Sequence, residues 1–194
     1  MREHGKPEIV EAIENEIQNL KTYETFEEIK DEGQETIGSR WIVIEKQKHD
    51  GQKQAYKARL VAKGFQEIDQ PQSDSLTAAH ESFKLLMALA ANQNFKVVSM
   101  DIRVGFLQAK KLDREVFVRP PDDIKKEGVV WKLLKPLYGL DDASRKFYLK
   151  VKETLQELRL KTGDDAFYYE HRDGKLMGLN LSHADDFAIV GQIL

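Results

Sequence analysis

The chain has 194 residues, of which 41% are hydrophobic and 32% charged, with a formal net charge of −3 and a sequence pI near 6.0. That length and balance suit one globular domain or two interleaved subdomains, and the absence of cysteine rules out a disulfide framework or a cysteine zinc site. No apolar run approaches the ~20 residues of a membrane span, and the polar N-terminus has no signal-peptide core behind it, so the expected setting is intracellular, cytoplasmic or nuclear, with no membrane partner.

The acidic balance means that any affinity for nucleic acid has to come from a local basic cluster. Residues 40 to 65 supply one: Arg40, Lys46, Lys48, Lys53, Lys57, Arg59 and Lys63 against Glu45 and Asp50, a net +5. Residues 164 to 186 reverse the balance to −4.

In chain order, Pro7 suits a first helical turn, and Val10, Ile13, Ile17 and Leu20 recur at helical spacing behind it. Ser39 to Lys46 and Gln54 to Lys63 read as the arms of a hairpin turning near Asp50-Gly51. In the second arm Tyr56, Ala58, Leu60 and Ala62 fall on one face, and Lys57, Arg59, Val61 and Lys63 on the other. A solvated edge strand would carry such lysines, and so would a phosphate-binding one. Asp74, Ser75 and Thr77 are candidate caps for a helix with Phe83, Leu86, Met87 and Ala90 on one face. Strands are expected over Phe95 to Ile102, Glu115 to Arg119 and Val129 to Lys135. Asp142 is placed to cap a helix with Phe147, Val151, Leu155 and Leu158 on its core face, and Gly163 lies past its end. Two further strands flank an Asp173-Gly174 turn. Mixed elements dominated by hairpins predict an α+β fold with a largely antiparallel sheet.

Two short apolar runs meet at Asp185-Asp186, and a third aspartate, Asp101, ends another strand-like run. Adjacent carboxylates repel, so a folded chain keeps such a pair either because water solvates it or because a cation offsets it. Three strand-end carboxylates make an oxygen-only site for a hard divalent cation, of the kind that holds two metals in phosphoryl transfer.

Five stretches, taken in order, resemble successive blocks of the Ty1/copia-type retrotransposon reverse transcriptase. They are Tyr56 to Phe65, Leu85 to Ala91, Met100-Asp101-Ile102-Arg103-Val104-Gly105-Phe106-Leu107, Leu137-Tyr138-Gly139-Leu140 and His183-Ala184-Asp185-Asp186. The resemblance covers roughly residues 8 to 194. It implies a fingers-palm polymerase domain spanning residues 1–194 and truncated before the thumb, a fragment of a Pol polyprotein. It also implies that Asp101, Asp185 and Asp186 are the catalytic triad binding two Mg²⁺ or Mn²⁺ ions. Lys57, Arg59 and Lys63 match the fingers block that meets the nucleotide, Phe106 the aromatic that crowds a ribose 2′-hydroxyl, and Leu140 and Asp142 the start of the segment positioning template and nucleotide. The implied partners are an RNA template, a DNA primer and a dNTP.

This sequence departs from the family pattern at two places. His183-Ala184 replaces the usual Tyr-x before the aspartates, and Asp141-Asp142-Ala143-Ser144 replaces Lys-Gln-Ala-Pro, exchanging an amide for a carboxylate near where phosphates would lie. The function expected is RNA-directed DNA polymerisation, and the alternative is a non-catalytic remnant that binds nucleic acid or acts as a scaffold. A fragment of this length is expected to extend primers feebly, and the strand after Asp186 is expected to lack neighbours.

Overall fold

A computed structural model describes residues 6–46, 55–68, 71–75, 78–162 and 167–192. The elements run α1 (Pro7–Thr22), β1 (Phe26–Lys30), β2 (Ile37–Lys46), β3 (Ala55–Ala62), α2 (His80–Gln93), β4 (Lys96–Asp101), β5 (Phe117–Arg119), β6 (Val129–Leu133), α3 (Ala143–Glu157), β7 (Lys161–Thr162), β8 (Phe167–Arg172), β9 (Lys175–His183) and β10 (Asp186–Gly191). They form a mixed α+β structure in two units, each assembled from two chain segments: residues 1–72 with 106–143, and residues 73–105 with 144–194. The Asp50-Gly51 turn, Thr77 and Gly163 lie outside the described residues. Among the described residues no helix is long and apolar enough to cross a membrane.

The first unit is a five-stranded sheet in the order β1-β6-β5-β2-β3, antiparallel except where β2 meets β5. Pro7 opens α1 where its missing N–H costs nothing, and Glu8 and Lys21 complement the dipole at the two ends. The helix buries Ile9, Ala12, Ile13, Glu16 and Leu20. It packs Ile9, Ala12 and Ile13 on Ala58, with Trp41, Val43 and Tyr56 around them. The expected stripe is therefore turned by about one residue. Val10 faces solvent, because Ala12 and Glu16 widen the buried face on the other side.

Glu16 is the unexpected member of that face. Its carboxylate accepts a hydrogen bond from the Leu60 N–H at 3.4 Å. Burial pushes its pKa above the ordinary glutamate range, against the pull of the Leu60 and Asn19 hydrogen bonds and of Lys57 and Arg59. A carboxyl whose folded pKa is raised contributes stability that is fully present below about 4.5 and is lost as pH rises through the folded value. Glu16→Gln is thus expected to unfold at higher urea concentration than the wild type at pH 7 and to lose that advantage at pH 4. A difference that does not change with pH would show that the Glu16 charge carries no such penalty.

The second unit is a five-stranded antiparallel sheet in the order β4-β10-β9-β8-β7. Leu86 and Ala90 of α2, with Phe95 after it, cover Leu179, Leu181 and Val190. The α2 helix starts later than the candidate caps imply. Its N-cap is Ala79, with no side-chain hydrogen bond, and Asp74 and Ser75 lie upstream in irregular chain. Its C-cap is Asn94 in the left-handed region. In α3, Phe147 and Val151 are buried as expected, whereas Leu158 lies past the helix end and is exposed. The β8–β9 hairpin turns at Asp173-Gly174, both at positive φ, which matches the right-handed twist of the strands.

The expectation for the strand after Asp186 is corrected here: β10 is paired on both sides, by β4 and by β9. One edge of this sheet is β4, where Val97, Val98 and Met100 are exposed, and the other is β7. Residue spacing shows that a strand exists, but only pairing decides which strand is central.

Candidate active site

The antiparallel register places Asp186 directly opposite Asp101 on one side and opposite His183 on the other. Residues opposed across antiparallel strands share a face, so Asp101, Asp186 and His183 form one row across β4, β10 and β9. The Ile102 N–H donates to the Asp185 carbonyl at 2.9 Å. That makes the neighbouring Asp101 and Asp186 a non-hydrogen-bonded pair, the kind whose side chains stand closest, with Cβ atoms about 4.5–5.5 Å apart. Asp185 occupies the two-residue turn between β9 and β10, whose first residue, Ala184, has φ 53°. A small cavity of about 410 Å³ beside this row is lined by His80, Ser99, His183, Asp186 and Ala188, among others.

The chain leaves Asp101 through a strained turn. Val104 has φ 49°, a costly conformation for a β-branched residue and one found where surrounding structure enforces it. Gly105 follows because a Cβ there would press on the Phe147 ring at 3.0 Å and approach the Asp185 Cβ at 3.4 Å.

Asp101 and Asp186 are exposed and Asp185 is half-buried. Among the described residues no three acidic or histidine side chains converge closely enough to hold a metal ion as they stand. The donor set nevertheless fits a hard cation. Two carboxylates share a face and a third sits in the adjoining turn, and hard oxygen donors of this kind are what such a cation takes.

The remaining predicted residues belong to the first unit. On β3, Ala58, Leu60 and Ala62 are buried, while Lys57, Arg59 and Val61 on the other face are half-buried. Lys57 is opposite Ile44 and Arg59 opposite Ile42, so the outer face alternates cations with aliphatic side chains. Lys63, just past the strand, donates its N–H to the Gly38 carbonyl at 2.9 Å. Lys46 of the basic cluster lies in β2, and Lys48 and Lys53 fall outside the described residues.

The end of β3 is locked to the Leu137–Leu140 segment. The Ala62 N–H donates to the Tyr138 carbonyl at 2.8 Å, and Val61 and Tyr138 form a parallel bridge. The approach works because both sides use glycine. A Cβ on Gly139, at φ 88°, would overlap the Ala62 carbonyl oxygen, and one on Gly64 would overlap the Gly139 carbonyl oxygen. Leu140 is buried. The Arg59 guanidinium lies 5.2 Å from the Tyr138 ring centroid, and the Phe106 ring meets Tyr138 edge-on at 5.0 Å and 77°.

Asp142 does not face solvent. Its carboxylate is 2.9 Å from Arg114, which also pairs with Glu67 at 2.6 Å, and the side-chain exposures of Asp142 and Glu67 are only 3% and 8%. Burial pushes the Glu67 pKa up, Arg114 pulls it back, and Asp142 and Asp141 push it further. Its Oε1 has no hydrogen-bond partner.

The structure therefore gathers Asp101, Asp185 and Asp186 in one unit and Arg59, Phe106, Leu140 and Asp142 around one segment of the other. Reading the sequence did not single out Tyr138, Arg114 or the placement of His183 in the aspartate row. For His183 a signal existed, because it lies as far before the turn as Asp186 lies after it. Arg114 carries no local pattern that marks it.

A family model described as "Reverse transcriptase (RNA-dependent DNA polymerase)" matches residues 21–192. The chain is 29% identical over 196 residues to a "Retrovirus-related Pol polyprotein from transposon TNT 1-94" of Nicotiana tabacum, covering 96% of this chain and 15% of that protein. It is 30% identical over 161 residues to a "Retrovirus-related Pol polyprotein from transposon RE1" of Arabidopsis thaliana, covering 80% and 11%. With a "Transposon Ty1-NL2 Gag-Pol polyprotein" of Saccharomyces cerevisiae it shares 27% over 161 residues, covering 78% and 9%. The chain thus spans between about a tenth and a seventh of the length of these relatives. With the family model covering most of its length and the similarity running through plant and yeast elements alike, the chain belongs to the reverse transcriptase family of Ty1/copia-type Pol polyproteins.

Proposed function

We propose that this domain performs RNA-directed DNA polymerisation, with the second unit as palm and the first as fingers. The observation that carries this reading is the register that sets Asp101 opposite Asp186 with Asp185 in the adjoining turn. In the reaction the primer 3′-oxygen attacks the α-phosphorus of a dNTP; a new P–O bond forms as the bond to pyrophosphate breaks, and the 3′-hydroxyl proton is lost. Two Mg²⁺ or Mn²⁺ ions held by Asp101, Asp185 and Asp186 would activate the attacking oxygen and offset charge on the leaving group.

The protein's own part is positioning and charge. Lys57, Arg59 and Lys63 supply the cations for the triphosphate, and Phe106 supplies the ring that crowds a 2′-hydroxyl. Leu140 and Asp142 position template and nucleotide indirectly: one is buried and the other is tied to Arg114, so together they hold the turn in place. The partners are an RNA template, a DNA primer and a dNTP.

Primer extension on a primed RNA template with Mg²⁺ or Mn²⁺ tests the reading. Extension by the wild type that disappears in Asp101→Asn is expected. Salt-dependent binding of the primed template without any nucleotide incorporation would favour instead a non-catalytic nucleic-acid-binding role.

A further inference from the structure

We infer that Tyr138 is a positioning residue for nucleotide selection, holding Phe106 and Arg59 in their working orientations from a single ring. The inference rests on the reading above, in which Phe106 meets the sugar and Arg59 the phosphates.

Three observations carry it. The ring touches both groups at once, Arg59 at 5.2 Å over its centroid and Phe106 edge-on at 5.0 Å and 77°. Its backbone is the fixed part of the segment, since Tyr138 bridges Val61 and its carbonyl accepts the Ala62 N–H at 2.8 Å. Fully buried Leu137 precedes it, and the tightly packed Gly139 follows.

Both partners need that support. Phe106 sits on a 3₁₀ turn whose anchor is the next residue, Leu107, fully buried, while its own ring is only half-buried. The Arg59 Nε is buried without a hydrogen-bond partner, and the Tyr138 face lies against the guanidinium it belongs to. An edge-on pair depends on the ring's charge distribution, which an aliphatic side chain of similar bulk does not reproduce.

The test compares dATP with ATP, which differ only at the 2′-position, binding with Mg²⁺ to the protein on an RNA template whose primer ends in a 2′,3′-dideoxynucleotide and so cannot be extended, followed by calorimetry. Tyr138→Leu should weaken both nucleotides through Arg59 and also lower the dATP-to-ATP affinity ratio by about 2- to 10-fold, the range a lost aromatic pair spans. Tyr138→Phe keeps the ring and should keep the ratio. Should Tyr138→Leu not fold, Tyr138→Met, longer and without a ring, carries the same test with the same sign.

Each outcome decides. A wild type without preference, or a preference unchanged in Phe106→Ala, overturns the sugar-contact reading and this inference with it. A ratio lost in Phe106→Ala but kept in Tyr138→Leu overturns this inference alone. The same holds if Tyr138→Leu weakens both nucleotides equally.

Discussion

Arg114→Ala is expected to destabilise the protein by about 3–5 kcal/mol, the cost of stranding buried charges by removing their partner. Glu67 and Asp142 are almost wholly enclosed, and Arg114 is the cation both contact. Without it Glu67, whose proton affinity burial and Asp142 already raise, would share a buried site with a second carboxylate and no counter-charge. Arg114→Lys should fall between, because a single ammonium replaces the charge but not the fork that reaches both acids. Lowering the pH through the carboxylate range should shrink the deficit, since protonation removes the repulsion. Urea denaturation at pH 7 and pH 4 measures both effects. A loss below about 1 kcal/mol at pH 7 would place the cluster with ordinary surface ion pairs.

That cluster also shows where the sequence stops being legible. The alternation along β3 and the Asp173-Gly174 turn were readable because each is a local pattern: a period of two, or a dipeptide suited to positive φ. The α1 helix was readable as a helix, but its buried face was misjudged by about one residue, since nothing local marks Glu16 as buried. The late start of α2 escaped for a related reason: Asp74 and Ser75 look like caps, yet the helix begins without one. The central place of β10 depends on its pairing with β4, 85 positions earlier for Asp186 and Asp101, which no window along the chain contains.

The candidate site divides in the same way. The aspartates stood out as strand-end carboxylates, and the family blocks linked them to Lys57, Arg59, Lys63 and Phe106. Two features depend on contacts distant in sequence: the Tyr138 ring between Phe106 and Arg59, and the paired glycines at 64 and 139. Asp142 shows the difference most clearly. In sequence it is an added negative charge near phosphates, and in the fold its carboxylate is committed to Arg114.

Asp185→Asn has the largest expected effect on function. The substitution keeps size and turn geometry but removes the charged oxygen donor at the turn between β9 and β10, where the Asp101–Asp186 pair has no other carboxylate neighbour along the hairpin turn. Loss of even an outer-shell partner costs a metal site about 10- to 100-fold in affinity, so if Asp185 is the direct ligand proposed above, its loss should cost at least about 10-fold. Titrating Mn²⁺ into the wild type and into Asp185→Asn, followed by the electron paramagnetic resonance of the free ion, measures this directly. A saturable site is expected in the wild type and should weaken at least about 10-fold in the variant, whereas equal binding by the two proteins would rule out Asp185 as a metal ligand.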